Sequence, residues 1–106
     1  MYLGRDFDPM DTGYEADVFT IDFVKDLNAG ETISTVAVAL AVVTGTDANP
    51  SSRLSGSVSI SGSQCSQAID VRSAPAGVYY RLIMTVATNQ RVAVTLWSHF
   101  WSRTPA

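Results

Sequence analysis

The 106 residues are 46% apolar and 16% charged, a balance that suits one folded domain with a real core and argues against disorder. The net charge of −3 comes without any cluster of Lys and Arg able to neutralise several phosphates together, so nucleic-acid binding is not expected. The apolar run Val36 to Val43 is 8 residues long. A membrane-spanning helix needs roughly 20, and no basic stretch followed by an apolar block points to a secretory signal.

Residues 1 to 15 hold Asp8-Pro9 and Thr12-Gly13 among many acids and show little periodicity. They read as an extended N-terminal arm before a single domain over residues 16–106. From Ala16 the pattern changes: Phe19, Ile21 and Phe23 alternate with Val18, Thr20 and Asp22, as in a strand buried on one face. Turn residues from Asp26 to Gly30 end it. Glu31-Thr32-Ile33-Ser34 leads into a second strand, where Val36, Val38, Leu40 and Val42 share a face and Ala37, Ala39 and Ala41 line the other. The alanine side reads either as the half-exposed side of a central strand or as a flat face for a neighbouring subunit. Thr44 to Ser55 is a loop dense in turn residues. Ser57 to Ile60 and Gln64 to Val71, parted by Ser61-Gly62-Ser63, alternate weakly and read as edge strands. Another turn covers Ser73 to Gly77.

Two stronger strands end the chain. Val78, Tyr80, Leu82, Met84 and Val86 form one apolar face, and Val92, Val94, Leu96 and Phe100 form another. Both faces enter one core only if even positions oppose even positions. That needs an odd-length loop, and Thr88-Asn89-Gln90 is the expected three-residue connection. The expected shared core is Phe19, Ile21, Val38, Leu40, Tyr80, Leu82, Val92 and Val94. No segment has a helical period. Short strands punctuated by Gly, Pro, Ser and Asn predict an all-β fold, an antiparallel immunoglobulin-like β-sandwich with the N-terminal arm extended from it. Tyr80, three residues after Gly77, stands where such domains place a tyrosine corner, its hydroxyl capping a backbone group near the strand entrance.

Little in the chain points to chemistry. His99 is the only histidine, and no nucleophile-elbow pattern occurs, so it reads as structural or surface-exposed. Cys65 is alone, which rules out an internal disulfide, fits a cytosolic folding compartment and suggests an inert thiol. Asp6, Asp8 and Asp11 lack the spacing and glycine of a calcium loop. No catalytic, cofactor-binding or metal-ligating residue is assigned, and an enzyme is not expected.

The outward face of the last two strands is more informative. It carries Arg91, Ala93, Thr95, Trp97, His99 and Trp101 on one strand and Tyr79, Arg81 and Ile83 on the other. Tyr79, Arg81, Trp97 and Trp101 are the residue types that anchor protein interfaces, and they form the candidate contact surface. The competing reading has both tryptophans covering an open end of the sandwich or receiving the N-terminal arm. Charge is also uneven: eight acids against Arg5 and Lys25 up to Glu31, then two acids against five arginines. This reads as solvated surface, or as an acidic end that docks on a neighbour's basic face.

Taken in order, the motifs resemble a phage virion family, the fiber-tail adaptor proteins. The resemblance rests on Asp8-Pro9, the strand Asp17-Val18-Phe19-Thr20-Ile21-Asp22-Phe23, then Leu27 and Gly30-Glu31-Thr32-Ile33-Ser34. It continues through the Gly-x-x-Tyr-Arg-Leu strand at Gly77 to Leu82, then Val86-Ala87-Thr88 and Arg91. The chain departs from the family pattern at Phe23 and near Val36, where Trp is expected, and at Gln90, where Gly is expected. The resemblance implies a small immunoglobulin-like sandwich in a tail or baseplate, joining a fiber to the tail body without catalysis or cofactor. It also implies other phage tail or fiber proteins as partners, multiple symmetry-related copies, and assembly into the virion after synthesis in the host cytoplasm. A neck, connector or capsid-decorating role is the nearest alternative, since a fold does not fix a place in a particle. From another class, a glycan-binding module would set Tyr79, Trp97 and Trp101 coplanar beside a polar cleft; a dry, flat patch would favour protein.

Overall fold

The computed structural model describes residues 10–13 and 16–104, and among these residues the fold is all β, with no α-helix. The strands are β1 (Met10–Asp11), β2 (Ala16–Asp22), β3 (Ile33–Thr44), β4 (Leu54–Ser61), β5 (Gln64–Asp70), β6 (Tyr79–Thr88) and β7 (Val94–Arg103), with one 3₁₀ turn at Pro50–Arg53 before β4. Two sheets pack face to face, one in the order β1-β7-β6-β3 and the other β2-β5-β4. The β1–β7 pair is parallel and the other four pairs are antiparallel.

Strict alternation builds the core. Val78, Tyr80, Leu82, Met84 and Val86 are each 0–1% exposed, the complete inward face expected of β6. Leu96 and Phe100 join them from β7, Leu40 from β3, Phe19 and Ile21 from β2, and Cys65 and Ile69 from β5. The Phe100 ring connects the layers: it lies 5.1 Å from Phe19 in an edge-on contact and 5.1 Å from Tyr80 in a stacked one. Val38 and Val94 are half-buried against this cluster.

Four expectations change. Val92 is 92% exposed rather than in the core, and the β6–β7 loop has five residues, 89–93, rather than three. Even positions do oppose even positions, but Val86 pairs with Val94 where the shorter loop would have set it against Val92. The loop lengthens because Thr88 turns the chain early. Its N–H donates to the Arg91 carbonyl at 2.9 Å, and its hydroxyl accepts from the Arg91 N–H at 2.9 Å, which takes Val92 off the ladder. Next, β5 is central rather than an edge, lying between β2 and β4, whereas β4 is an edge as expected. A polar residue at a core position blurs the β5 pattern. Gln67 is 3% exposed and donates its amide to the carbonyls of Ser55, Gly56 and Ala68 at 3.2, 3.3 and 2.9 Å. Third, β3 is an edge strand, so of the two readings of its alanine side the one that makes it central does not hold. Finally, the Tyr80 hydroxyl donates to Asp47 Oδ2 at 2.6 Å, a loop carboxylate where a tyrosine corner has a backbone group.

Of the expected N-terminal arm, Met10 and Asp11 pair with Ser102 and Arg103 of β7, and Met10 is 1% exposed. This piece belongs to the sandwich; residues 1–9, 14 and 15 lie outside the described residues.

Two polar clusters hold the ends of β6. At its start, Asp47 from the β3–β4 loop accepts from Tyr80 and from Arg53 Nε at 3.1 Å, pinning that loop to the core. The same loop presses on the β5–β6 connection at Gly45 (φ 92°), where a Cβ would stand 2.9 Å from the Gly77 carbonyl oxygen. At the end of β6, Glu31 accepts from Arg91 Nη2 at 2.6 Å, from Arg91 Nε at 2.8 Å and from the Thr88 hydroxyl, and the Asn28 N–H donates to it at 2.8 Å. Arg91 Nη2 also donates to the Asp26 carbonyl at 2.5 Å, so the β2–β3 loop and the β6–β7 loop are sewn together.

Candidate protein interface on the outer face of the four-stranded sheet

The register decides which outward side chains become neighbours. Across β6 and β7, Tyr79 pairs with Trp101, Arg81 with His99, Ile83 with Trp97 and Thr85 with Thr95. Across β3 and β6, Ala41 pairs with Arg81, Ala39 with Ile83 and Ala37 with Thr85. The aromatic and arginine residues and the alanine stripe therefore occupy one face of one sheet. They are adjacent features of a single surface.

All four candidate residues lie in this band. Trp97 is 37% exposed, Trp101 is 43% exposed, Arg81 is exposed and Tyr79 is half-buried. The Tyr79 ring stacks on His99 with centroids 5.1 Å apart and planes 10° apart, and its contact with Trp101 is 4.6 Å at a 31° tilt. Arg81 Nε donates to His99 Nε2 at 3.1 Å, and the Thr85 and Thr95 hydroxyls share a hydrogen bond at 3.0 Å. Cross-strand pairs of this kind are worth about 0.2–1 kcal/mol each. They also hold the rings in place before any partner arrives, which reduces the entropy lost on binding.

His99 binds the band together, although the sequence offered it no role beyond its outward parity. The signal was partly present: it stands midway between Trp97 and Trp101 on one side of the strand, but the expected three-residue loop sets it opposite Tyr79, and only the longer loop brings it opposite Arg81.

Chemistry is sparse elsewhere. Cys65 is fully buried, and burial pushes its thiol pKa up, which disfavours the reactive thiolate. Among the described residues no group of three or more His, Cys, Asp or Glu side chains is arranged to hold a metal. Asp6 and Asp8 lie outside the described residues. No helix among the described residues is long and apolar enough to cross a membrane. No protein-family model, curated protein or solved structure matches the chain.

Proposed function

We propose that this chain is a non-enzymatic structural protein of a phage particle, an adaptor that links a tail fiber to the tail or baseplate through the outer face of its four-stranded sheet. The phage assignment rests on the ordered motifs from Asp8-Pro9 to Arg91. The contact surface rests on one observation: two exposed tryptophans, a tyrosine and an arginine lie ordered on adjacent strands beside a flat alanine stripe. The fold reading within this proposal is immunoglobulin-like. It is supported by the strand order, since β2-β5-β4 facing β7-β6-β3 matches the B-E-D and G-F-C arrangement of such domains.

A protein partner fits this surface better than a glycan. Sugar stacking needs open ring faces, whereas the Tyr79 ring already contacts both His99 and Trp101. The test is the double variant Trp97→Ser with Trp101→Ser, supplied in place of the wild-type chain during phage growth. It should melt like the wild type and yet fail to enter the particle. Loss of one buried aromatic anchor weakens such contacts by about 2 kcal/mol or more, roughly thirtyfold. Normal incorporation of the folded double variant would overturn the assignment of this face.

A further inference from the structure

The four sheet edges are guarded unequally. Natural edge strands avoid pairing with other chains by being short, carrying charge or being interrupted by a bulge. β1 offers only two residues and pairs only with Ser102 and Arg103, so among the described residues the sheet ends on that side in β7 over Val94–Trp101, an edge of eight residues against the twelve of β3. β2 carries Asp17 and Asp22. β4 contains Gly56 at φ 71° and loses register between Ser55 and Ser59. β3 has none of these defences along its middle. It runs for twelve residues, Ile33–Thr44, without a charge, a proline or a glycine, and its register breaks fall only near its ends, between Ile33 and Thr35 and between Val42 and Thr44. The Pro50–Arg53 turn packs beside β3, but among the described residues it gives that strand no backbone hydrogen bond.

We infer that β3 is a pairing edge for a second copy of this chain, joined antiparallel about a two-fold axis through Ala39. The occupant follows from the strand's own order. From Val36 to Val42 large and small residues alternate identically from either end. Around Ala39 this sets Ala39 against Ala39, Val38 against Leu40, Ala37 against Ala41 and Val36 against Val42. An isologous contact requires such self-complementarity, and no like charges oppose each other in it. The burial of β3 also shows what the contact would supply. Its core-side Val36, Val38 and Val42 are only half-buried, whereas the core-side residues of β6 are 0–1% exposed. A second β3 would satisfy the outward-pointing backbone groups and cover those valines. The product is a continuous eight-stranded sheet with both aromatic bands on one side. This contact uses the edge rather than the face, so it stands apart from the adaptor reading.

Sedimentation of the full chain over a concentration series tests it. The wild type should form a dimer. Ala39 is exposed on the outer face, so Ala39→Lys should melt like the wild type and yet remain monomeric, and Ala39→Asp should do the same. Mixing the two variants in equal amounts should restore the dimer, because each Lys then faces an Asp. Ala39→Cys should be joined to its own copy by a short thiol cross-linker, a readout that needs no new charge at the axis. The Trp97→Ser, Trp101→Ser double variant should stay dimeric. A wild type that is monomeric throughout, a dimer that survives Ala39→Lys, a mixture that stays monomeric or an Ala39→Cys chain that does not cross-link would each overturn the proposal. Loss of the dimer in the double tryptophan variant would do the same, by pointing to face-to-face packing.

Discussion

At the start of β6 a carboxylate, an arginine and a hydroxyl meet inside the protein; at its end the same three groups meet with the arginine partly in solvent. In the first cluster the Arg53 and Asp47 side chains are 12% and 3% exposed, and they lie six positions apart in the chain. In the second, Glu31 is fully buried but Arg91 is 39% exposed, and the two lie sixty positions apart. Desolvation acts against the charge of Asp47, yet bonds from Arg53, Tyr80 and the Asn49 N–H together hold its pKa below the ordinary value. The two arginine bonds are the largest cause of the lowered Glu31 pKa. The Asp47 cluster is largely interior: Asp47 is 3% exposed and Arg53, at 12%, has little route to water. The Glu31 cluster is a staple between two loops, and its arginine has one.

The comparison breaks first at Asp47. Asp47→Ala leaves the largely enclosed Arg53 guanidinium and the buried Tyr80 hydroxyl without their shared acceptor. Removing one member of a buried pair typically costs about 3–5 kcal/mol. Urea unfolding should show that loss globally, with β6 less protected against hydrogen exchange along its length. A loss no larger than that of Glu31→Gln would mean burial is not what separates the clusters.

Glu31→Gln should do less, because Arg91 can turn toward solvent once released. The change should concentrate in faster hydrogen exchange of the loop segments 26–32 and 88–91. It should also appear in the pH dependence. Folding lowers the Glu31 pKa from 4.5 to about 2, so the folded chain keeps this carboxylate charged where the unfolded chain takes up a proton. The stability this supplies is complete above about pH 4.5 and is lost as pH falls toward about 2. Acid titration of unfolding should therefore fall less steeply in Glu31→Gln than in the wild type across that window. An unchanged slope would remove Glu31 from the account.

What could be read in the sequence follows the same division between local pattern and distant partnership. The inward face of β6 was fully legible, because Val78 to Val86 alternate without exception and all those residues are buried. The four residues of the candidate interface were legible for the same reason: parity alone puts Tyr79, Arg81, Trp97 and Trp101 on one side. The alanine stripe was seen but not placed beside them, since that depends on β3 pairing with β6 across 40 to 48 positions of chain. The edge role expected of β5 was wrong, and the reading of β3 as central, one of two for its alanine side, failed with it. β3 looks central because its sequence is apolar, and β5 looks peripheral because Gln67 interrupts its core face. Neither cluster at the ends of β6 was foreseen. Glu31 stands in what reads as a polar approach to a strand, and nothing near it announces Arg91. The Tyr80 hydroxyl finds a carboxylate delivered by a loop, where the local pattern suggested a backbone partner.

Arg72→Ala should have the smallest effect, and it separates good geometry from stabilisation. Arg72 Nη2 donates to Asp70 Oδ2 at 2.6 Å and Arg72 Nε to Asp70 Oδ1 at 3.0 Å, the first as short as the Arg91 Nη2 contact in the Glu31 staple. Arg72 bonding holds the Asp70 pKa at about 2 in the folded protein. Yet the side chains are 61% and 26% exposed, and they lie only two positions apart. Water screens the pair in the folded state, and the unfolded chain keeps both partners within reach, so the difference between the two states is small. At neutral pH the melting temperature of Arg72→Ala should match the wild type within error, with hydrogen exchange unchanged beyond the Asp70–Ser73 corner. A destabilisation equal to that of Glu31→Gln would show that contact geometry, rather than burial and chain separation, ranks the three ion pairs.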